Sequence, residues 1–108
     1  AFTLQGELLA VREDIGRHNA VDKVVGALMA PGAAGLDGAP VLLVSGRLSF
    51  EIVFKAWRGR FPFLLAVSAP SSMAVRMAER FGITLLGFCR DDRATVYTHA
   101  GRVQDGAV

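Results

Sequence analysis

The residues able to do chemistry gather in four short segments of this 108-residue chain. The first is Arg12-Glu13-Asp14-Ile15-Gly16-Arg17-His18-Asn19, with Asp22 and Lys23 just beyond; the second is Ser45-Gly46-Arg47-Leu48-Ser49. The third is Ser68-Ala69-Pro70-Ser71-Ser72 and the fourth Phe88-Cys89-Arg90-Asp91-Asp92-Arg93. A helix start needs no more than a cap and one acid, so Arg, His, Asn, Asp and Lys together in the first segment are more than folding requires. His18 and Asp22 stand four apart, on one helical face, where the carboxylate can orient the imidazole. The same residues also read as a solvated helix N-terminus. The second segment offers helix-start amides and a guanidinium, a cradle for phosphate; it also reads as an ordinary turn with Ser49 as N-cap. The third offers hydroxyls to an anion, or a helix cap at Ser71 or Ser72 after proline. In the fourth, Arg90 and Arg93 favour the Cys89 thiolate, whereas a lone cysteine at a strand end more often packs as a small apolar group. His99 has no partner in sequence and reads as exposed.

Several chemistries are excluded on residue count. No Gly-Lys-Ser/Thr follows a glycine-rich stretch, so there is no Walker loop. Zinc-dependent nucleobase deamination needs His-x-Glu and Pro-Cys-x-x-Cys; His18 is followed by Asn19-Ala20 and the chain has one cysteine, so no zinc is expected. That cysteine also rules out an internal disulfide, fits a reducing compartment and supports a cytoplasmic setting. Arginine supplies ten of the twelve cations, a bias toward planar forks that suit phosphates and carboxylates. The pI near 9.2 comes with no dense basic run, so nucleic acid is not an expected partner. No apolar run nears the roughly 20 residues that cross a bilayer, and no membrane is expected.

The elements that must position these segments follow from periodicity. Leu8, Leu9 and Val11 make Glu7 to Glu13 a strand, and Ala20, Val21, Val24, Val25 and Leu28 repeat at helical spacing from Arg17 to Met29. Gly, Ala and Pro make residues 30 to 39 a surface loop. Val41 to Val44 and Phe63 to Val67 read as buried strands. Helices follow each: one with Ile52, Val53, Ala56 and Trp57 inside, one with Met73, Met77, Ala78 and Phe81, stopped by Gly82. Ile83 to Phe88 and Thr95 to Thr98 complete a β-α-β-α-β-α-β-β order. This favours a single α/β domain over residues 1–108, its mostly parallel sheet carrying helices on both faces. Ligands in such sheets sit beyond the strands' carboxyl ends, where all four segments would converge. A 52% hydrophobic content and mean hydropathy of +0.38 suggest strands buried on both faces, or a surface that meets another segment or subunit.

The stretches EDIGRHNAVDKVVG, LLVSGRLSFEIVFKA, LAVSAPSSMAV, MAERFGITLLGFCR and RATVYTH, in this order, resemble the FdhD family of formate dehydrogenase accessory sulfurtransferases. The likeness runs from about Glu7 to Arg102. It implies a three-layer α/β/α fold with a mostly parallel mixed sheet, cytidine-deaminase-like without zinc ligands, and a homodimer. It further implies a sulfur carrier that takes sulfur from a cysteine desulfurase and passes it to the molybdenum bis-molybdopterin guanine dinucleotide cofactor, for formate dehydrogenase. The family's cofactor-binding segment corresponds to Phe88, Cys89, Arg90, Asp91, Asp92 and Arg93. Asp91-Asp92 departs from a more usual neutral pair, which weakens its suitability for an anion. The family's persulfide cysteine lies N-terminal to everything present, so the chain is expected to be the C-terminal cofactor-binding part, inactive alone in sulfur transfer, with no catalytic residue of its own. Residue chemistry adds Arg12, Arg17, His18, Asn19, Asp22, Ser45, Arg47, Ser68 and Ser71 as candidate cofactor contacts, with a guanine nucleotide as ligand analogue. A free-standing nucleotide- or phosphate-binding module, or a dimerisation scaffold, is the alternative.

Overall fold

Short apolar runs alternate with helical repeats in this sequence, and the computed structural model forms a helix or strand at all but one of them. It describes residues 1–14, 16–30, 40–90 and 93–102, without the side chains of Arg17 and His18. The order is α1 (Arg17–Met29), β1 (Val41–Val44), α2 (Phe50–Arg58), β2 (Phe63–Ala66), α3 (Ser72–Phe81), β3 (Thr84–Arg90), β4 (Arg93–Val96) and a 3-10 turn (Ala100–Arg102). The loop expected at residues 30–39 lies, beyond Ala30, outside the described residues. Strands β1, β2 and β3 are parallel neighbours and β4 returns antiparallel on β3, giving the expected mixed, mostly parallel sheet of an α/β fold.

The exception is the strand expected at Glu7 to Glu13, which does not form. Gly6, at φ 88°, turns the chain and the Thr3 amide donates to the Glu7 carbonyl at 2.9 Å. Phe2 then takes the free edge of β1, its amide donating to Val41 O at 2.8 Å and the Val41 amide donating back at 3.2 Å. With that edge occupied, Leu8 and Val11 remain more than half exposed and residues 9 to 14 run on without a ladder.

The register places Leu42, Leu64 and Leu85 side by side on one face of the sheet, all buried. Val21, Val24 and Leu28 of α1 and Ile52, Val53 and Ala56 of α2 join the same core. Helix α1 packs on α2 and α2 on α3. Strands ordered consecutively, joined by right-handed crossovers, put their helices on the same side. The described residues therefore supply two of the expected three layers: Leu43, opposite the helices, is 40% exposed and its row-mates Leu65 and Leu86 are only partly covered.

The inner face of α2 is taken by Ile52, Val53 and Ala56, and that of α3 by Ala74 and Ala78, each 0% exposed. Trp57 and Met73, expected inside, fall outside those faces and are 45% and 49% exposed. Trp57 stacks instead on Phe81 at the helix surface, ring centroids 4.6 Å apart. Thr98 is buried because its hydroxyl replaces ladder bonds: it accepts from the Leu85 amide at 3.0 Å and donates to Ile83 O at 2.7 Å. His99 is half-buried rather than merely exposed, with Nε2 donating to the Glu79 carbonyl at 2.8 Å. No described helix is long and apolar enough to cross a membrane.

Candidate functional site

Parallel strands deliver their carboxyl ends to one rim of the sheet, and here the exit loops are laced together by hydrogen bonds. The Val67 amide donates to Val44 O at 3.3 Å, Ser68 Oγ to Gly46 O at 3.0 Å, and the Ser71 amide to Leu48 O at 3.0 Å. One strand further on, the Phe88 amide donates to Ser68 O at 3.3 Å. The second, third and fourth polar segments thus lie along one edge. The first reaches the same edge: Val11 to Asp14 line an open cleft of about 830 Å³ with Ala20, Val21 and Val24 of α1, Leu42 to Gly46 and Val67. A cavity of this size suits a nucleotide-sized ligand.

Among the candidate contacts, Arg12 and Ser45 line the cleft and Arg47 stands exposed beside it. Arg12 Nη1 donates to the Val11 carbonyl at 2.6 Å. Ser68 and Ser71 are in place, yet their hydroxyls serve the scaffold. Ser68 braces Gly46, and Ser71 Oγ accepts from the Ala74 amide at 3.1 Å as the N-cap of α3. Ser49 is the N-cap of α2 without a side-chain bond, and its buried Oγ has no described partner. Asp22 is held by Lys55, whose Nζ donates to both carboxylate oxygens at 2.7 Å, so that carboxylate is already engaged. The side chains of Arg17 and His18, and Asp91 and Asp92 entirely, lie outside the described residues.

In the fourth segment Arg90 pairs with Arg93 across the β3–β4 hairpin, toward the sheet edge opposite β1, and both residues are exposed and outside the cleft lining. Between Gly87 and Arg90 the ladder slips, so that Phe88 and Cys89 oppose Ala94 alone, a β-bulge. Phe88 takes φ 54°, a conformation that disfavours a side chain, and its ring is 46% exposed. Burial pushes the Cys89 thiol up from its ordinary pKa, partly offset by a hydrogen bond from the Ala66 backbone. This is the packing behaviour, opposite to an activated thiolate.

Glu13 and Asp14 were not singled out in the sequence as contacts, although they line the cleft. The Asp-x-Gly spacing was the available signal: Asp14 Oδ1 accepts from the Gly16 amide at 2.9 Å. Lys23 Nζ lies 2.7 Å from Asp14 Oδ2 and holds the carboxyl below its usual range, helped by the Gly16 amide. The folded-state pKa is depressed, so the contribution is present above the unfolded value and fades as pH falls through the lowered one. Comparing Asp14→Asn with the parent by urea unfolding, the stability gap should be present at neutral pH and close in acid; a gap independent of pH would mean the pair contributes nothing through charge. No group of three or more metal-binding side chains occurs among the described residues.

Comparison with known proteins places these features in a family. A sequence model described as the FdhD/NarQ family matches residues 1–104. The chain is 57% identical over 102 residues to the sulfur carrier protein FdhD of Mycobacterium tuberculosis, covering 94% of this chain and 37% of that protein. It is 54% identical over 102 residues to the protein of the same name from Thermoplasma acidophilum, covering 94% and 36%. The crystal structure of a candidate formate dehydrogenase accessory protein from Desulfotalea psychrophila superposes with a TM-score of 0.82 at 35% identity, over 92% of this chain and 43% of that one. The chain thus spans just over a third of the length of the sulfur carrier proteins it matches.

Proposed function

The chain belongs to the FdhD/NarQ family, and on that premise we propose that it is the cofactor-binding part of a cytoplasmic sulfur carrier protein acting on the molybdenum bis-molybdopterin guanine dinucleotide cofactor of formate dehydrogenase. The names of its relatives, sulfur carrier protein and formate dehydrogenase accessory protein, support the role. The observation that carries the binding assignment is the laced rim, where the cleft, Arg47 and the β3–β4 hairpin lie along one edge of the sheet.

The donor set suits this cofactor's pyrophosphate and guanine. Arg12, Arg47 and Arg93 would take phosphate oxygens, with the amides opening α2 adding partial positive charge. Phe88 offers a ring face to a base, and Val11, Val21, Val24 and Val44 give the cleft an apolar wall. When bound, the cofactor supplies the molybdenum centre that accepts sulfur. Sulfur would arrive from a cysteine desulfurase through a persulfide cysteine outside this chain, and the residues here hold and orient the acceptor.

Calorimetry with GDP, GTP, ADP and ATP tests this. Guanine nucleotides should bind more tightly than adenine nucleotides. Arg93→Ala should weaken binding about tenfold or more, the loss of one charge-assisted hydrogen bond. A folded sample that binds no guanine nucleotide removes the assignment.

A second reading, a dimerising scaffold, is favoured by the exposed stripe of Phe50, Phe54, Trp57 and Met73 on α2 and α3. It expects a stable dimer in size-exclusion chromatography, indifferent to Arg47→Ala or Arg93→Ala. The two readings are compatible, since the resemblance also implies a homodimer.

A further inference from the structure

Gly87 sits on β3 one residue before the left-handed Phe88, and a side chain there has no space. A Cβ at Gly87 would lie 2.9 Å from Tyr97 Cε2, 3.0 Å from Pro70 Cδ and 3.1 Å from the Ser68 carbonyl oxygen. Tyrosine's ring edge can swing away; a proline ring and a backbone carbonyl cannot do so without moving the loop. Two of the three atoms belong to the β2–α3 loop, the segment that braces Gly46 through Ser68 Oγ and pairs with Leu48 at Pro70. The Ser68 carbonyl is also the acceptor for the Phe88 amide.

We propose that Gly87 is a positioning residue for the rim: its missing side chain lets the β2–α3 loop close on β3, which fixes the β3 bulge and presents Phe88 beside the cleft. It touches no ligand and acts through Pro70 and Ser68. The contacts run sideways from Gly87 to Ser68 and on to Gly46, so one atom added at β3 is felt two strands away at the cleft lining. The consequence for binding rests on the nucleotide-binding reading; the consequence for the loop does not.

The test compares Gly87→Ala, Pro70→Ala and the double variant by amide hydrogen exchange and GDP calorimetry. Gly87→Ala should speed exchange of the Phe88 and Ser71 amides by about tenfold or more, while the Val67 and Phe63 amides stay within about twofold of the parent, a local opening. GDP affinity should fall about tenfold. The double variant should recover most of both losses, because removing Cδ makes the room that Gly87 otherwise supplies. Unchanged exchange at Phe88, an increase spread over the whole sheet, or no recovery in the double variant each overturns the proposal. A parent protein that fails to bind GDP defeats the nucleotide reading and leaves the exchange arm to judge Gly87.

Discussion

Phe88→Gly should weaken guanine nucleotide binding by about five- to 150-fold, the range for losing one base–aromatic stack of about 1–3 kcal/mol, without loss of stability. The argument starts from a conflict. Phe88 occupies φ 54° at a bulge, where glycine meets no steric penalty and a phenylalanine does. Such strain costs on the order of 1–3 kcal/mol and persists where the surroundings impose it. The residue is 46% exposed, so the covered half offsets only part of that cost. Glycine relieves the strain but loses that covered half and adds unfolded-chain entropy, and these effects roughly cancel in urea unfolding. Phe88→Leu keeps the strain and part of the apolar contact while losing the π face, and should weaken binding to an intermediate degree. A glycine variant that unfolds more easily by well over 1 kcal/mol and binds GDP as tightly as the parent would show that the ring is there to pack.

Phe61→Ala should remove about 3–5 kcal/mol of stability, the usual cost of truncating a buried phenylalanine. Phe61 is 1% exposed and follows α2, where its amide donates to Ala56 O at 2.9 Å. Gly59 lies directly beneath: a Cβ there would stand 2.8 Å from Phe61 Cε2. The ring is therefore held against a backbone that cannot easily collapse into the space it leaves. A domain of this size has about 5–15 kcal/mol in all, so the variant should sit near the edge of folding at 37 °C. Urea unfolding read by tryptophan fluorescence measures it. A loss under about 1.5 kcal/mol would mean that the site closes after truncation, contrary to the rigid packing described.

Much of the fold could be read from spacing alone. Val41 to Val44 and Phe63 to Val67 are apolar without alternation, which marks strands inside a sheet, and the helical repeats between them oblige a parallel arrangement. The helix from Arg17 to Met29 was legible for the same reason, through Val21, Val24 and Leu28. Periodicity failed at Glu7 to Glu13 because a strand needs a partner edge as well as a pattern, and Phe2 occupies that edge. It failed at Trp57 because spacing leaves that residue at the margin of the inner face of α2, and its ring finds Phe81 of α3 at the surface, in a different part of the chain.

The candidate site divides along the same line. The four polar segments and their placement after apolar runs were visible in the residues, since a polar cluster that folding does not require stands out locally. The partners of those residues were not. Asp22 belongs to Lys55, 33 positions away, and Ser68 braces Gly46 at the exit of the neighbouring strand, 22 positions away. The sequence settled the order of elements from Arg17 onward and the family, because both are carried by residue types at short spacing. Three-dimensional packing settled which hydroxyls and carboxylates are already engaged, which face of the sheet stays open, and how the loops are spaced at the rim. Those depend on contacts between residues far apart in the chain, and no local pattern encodes them.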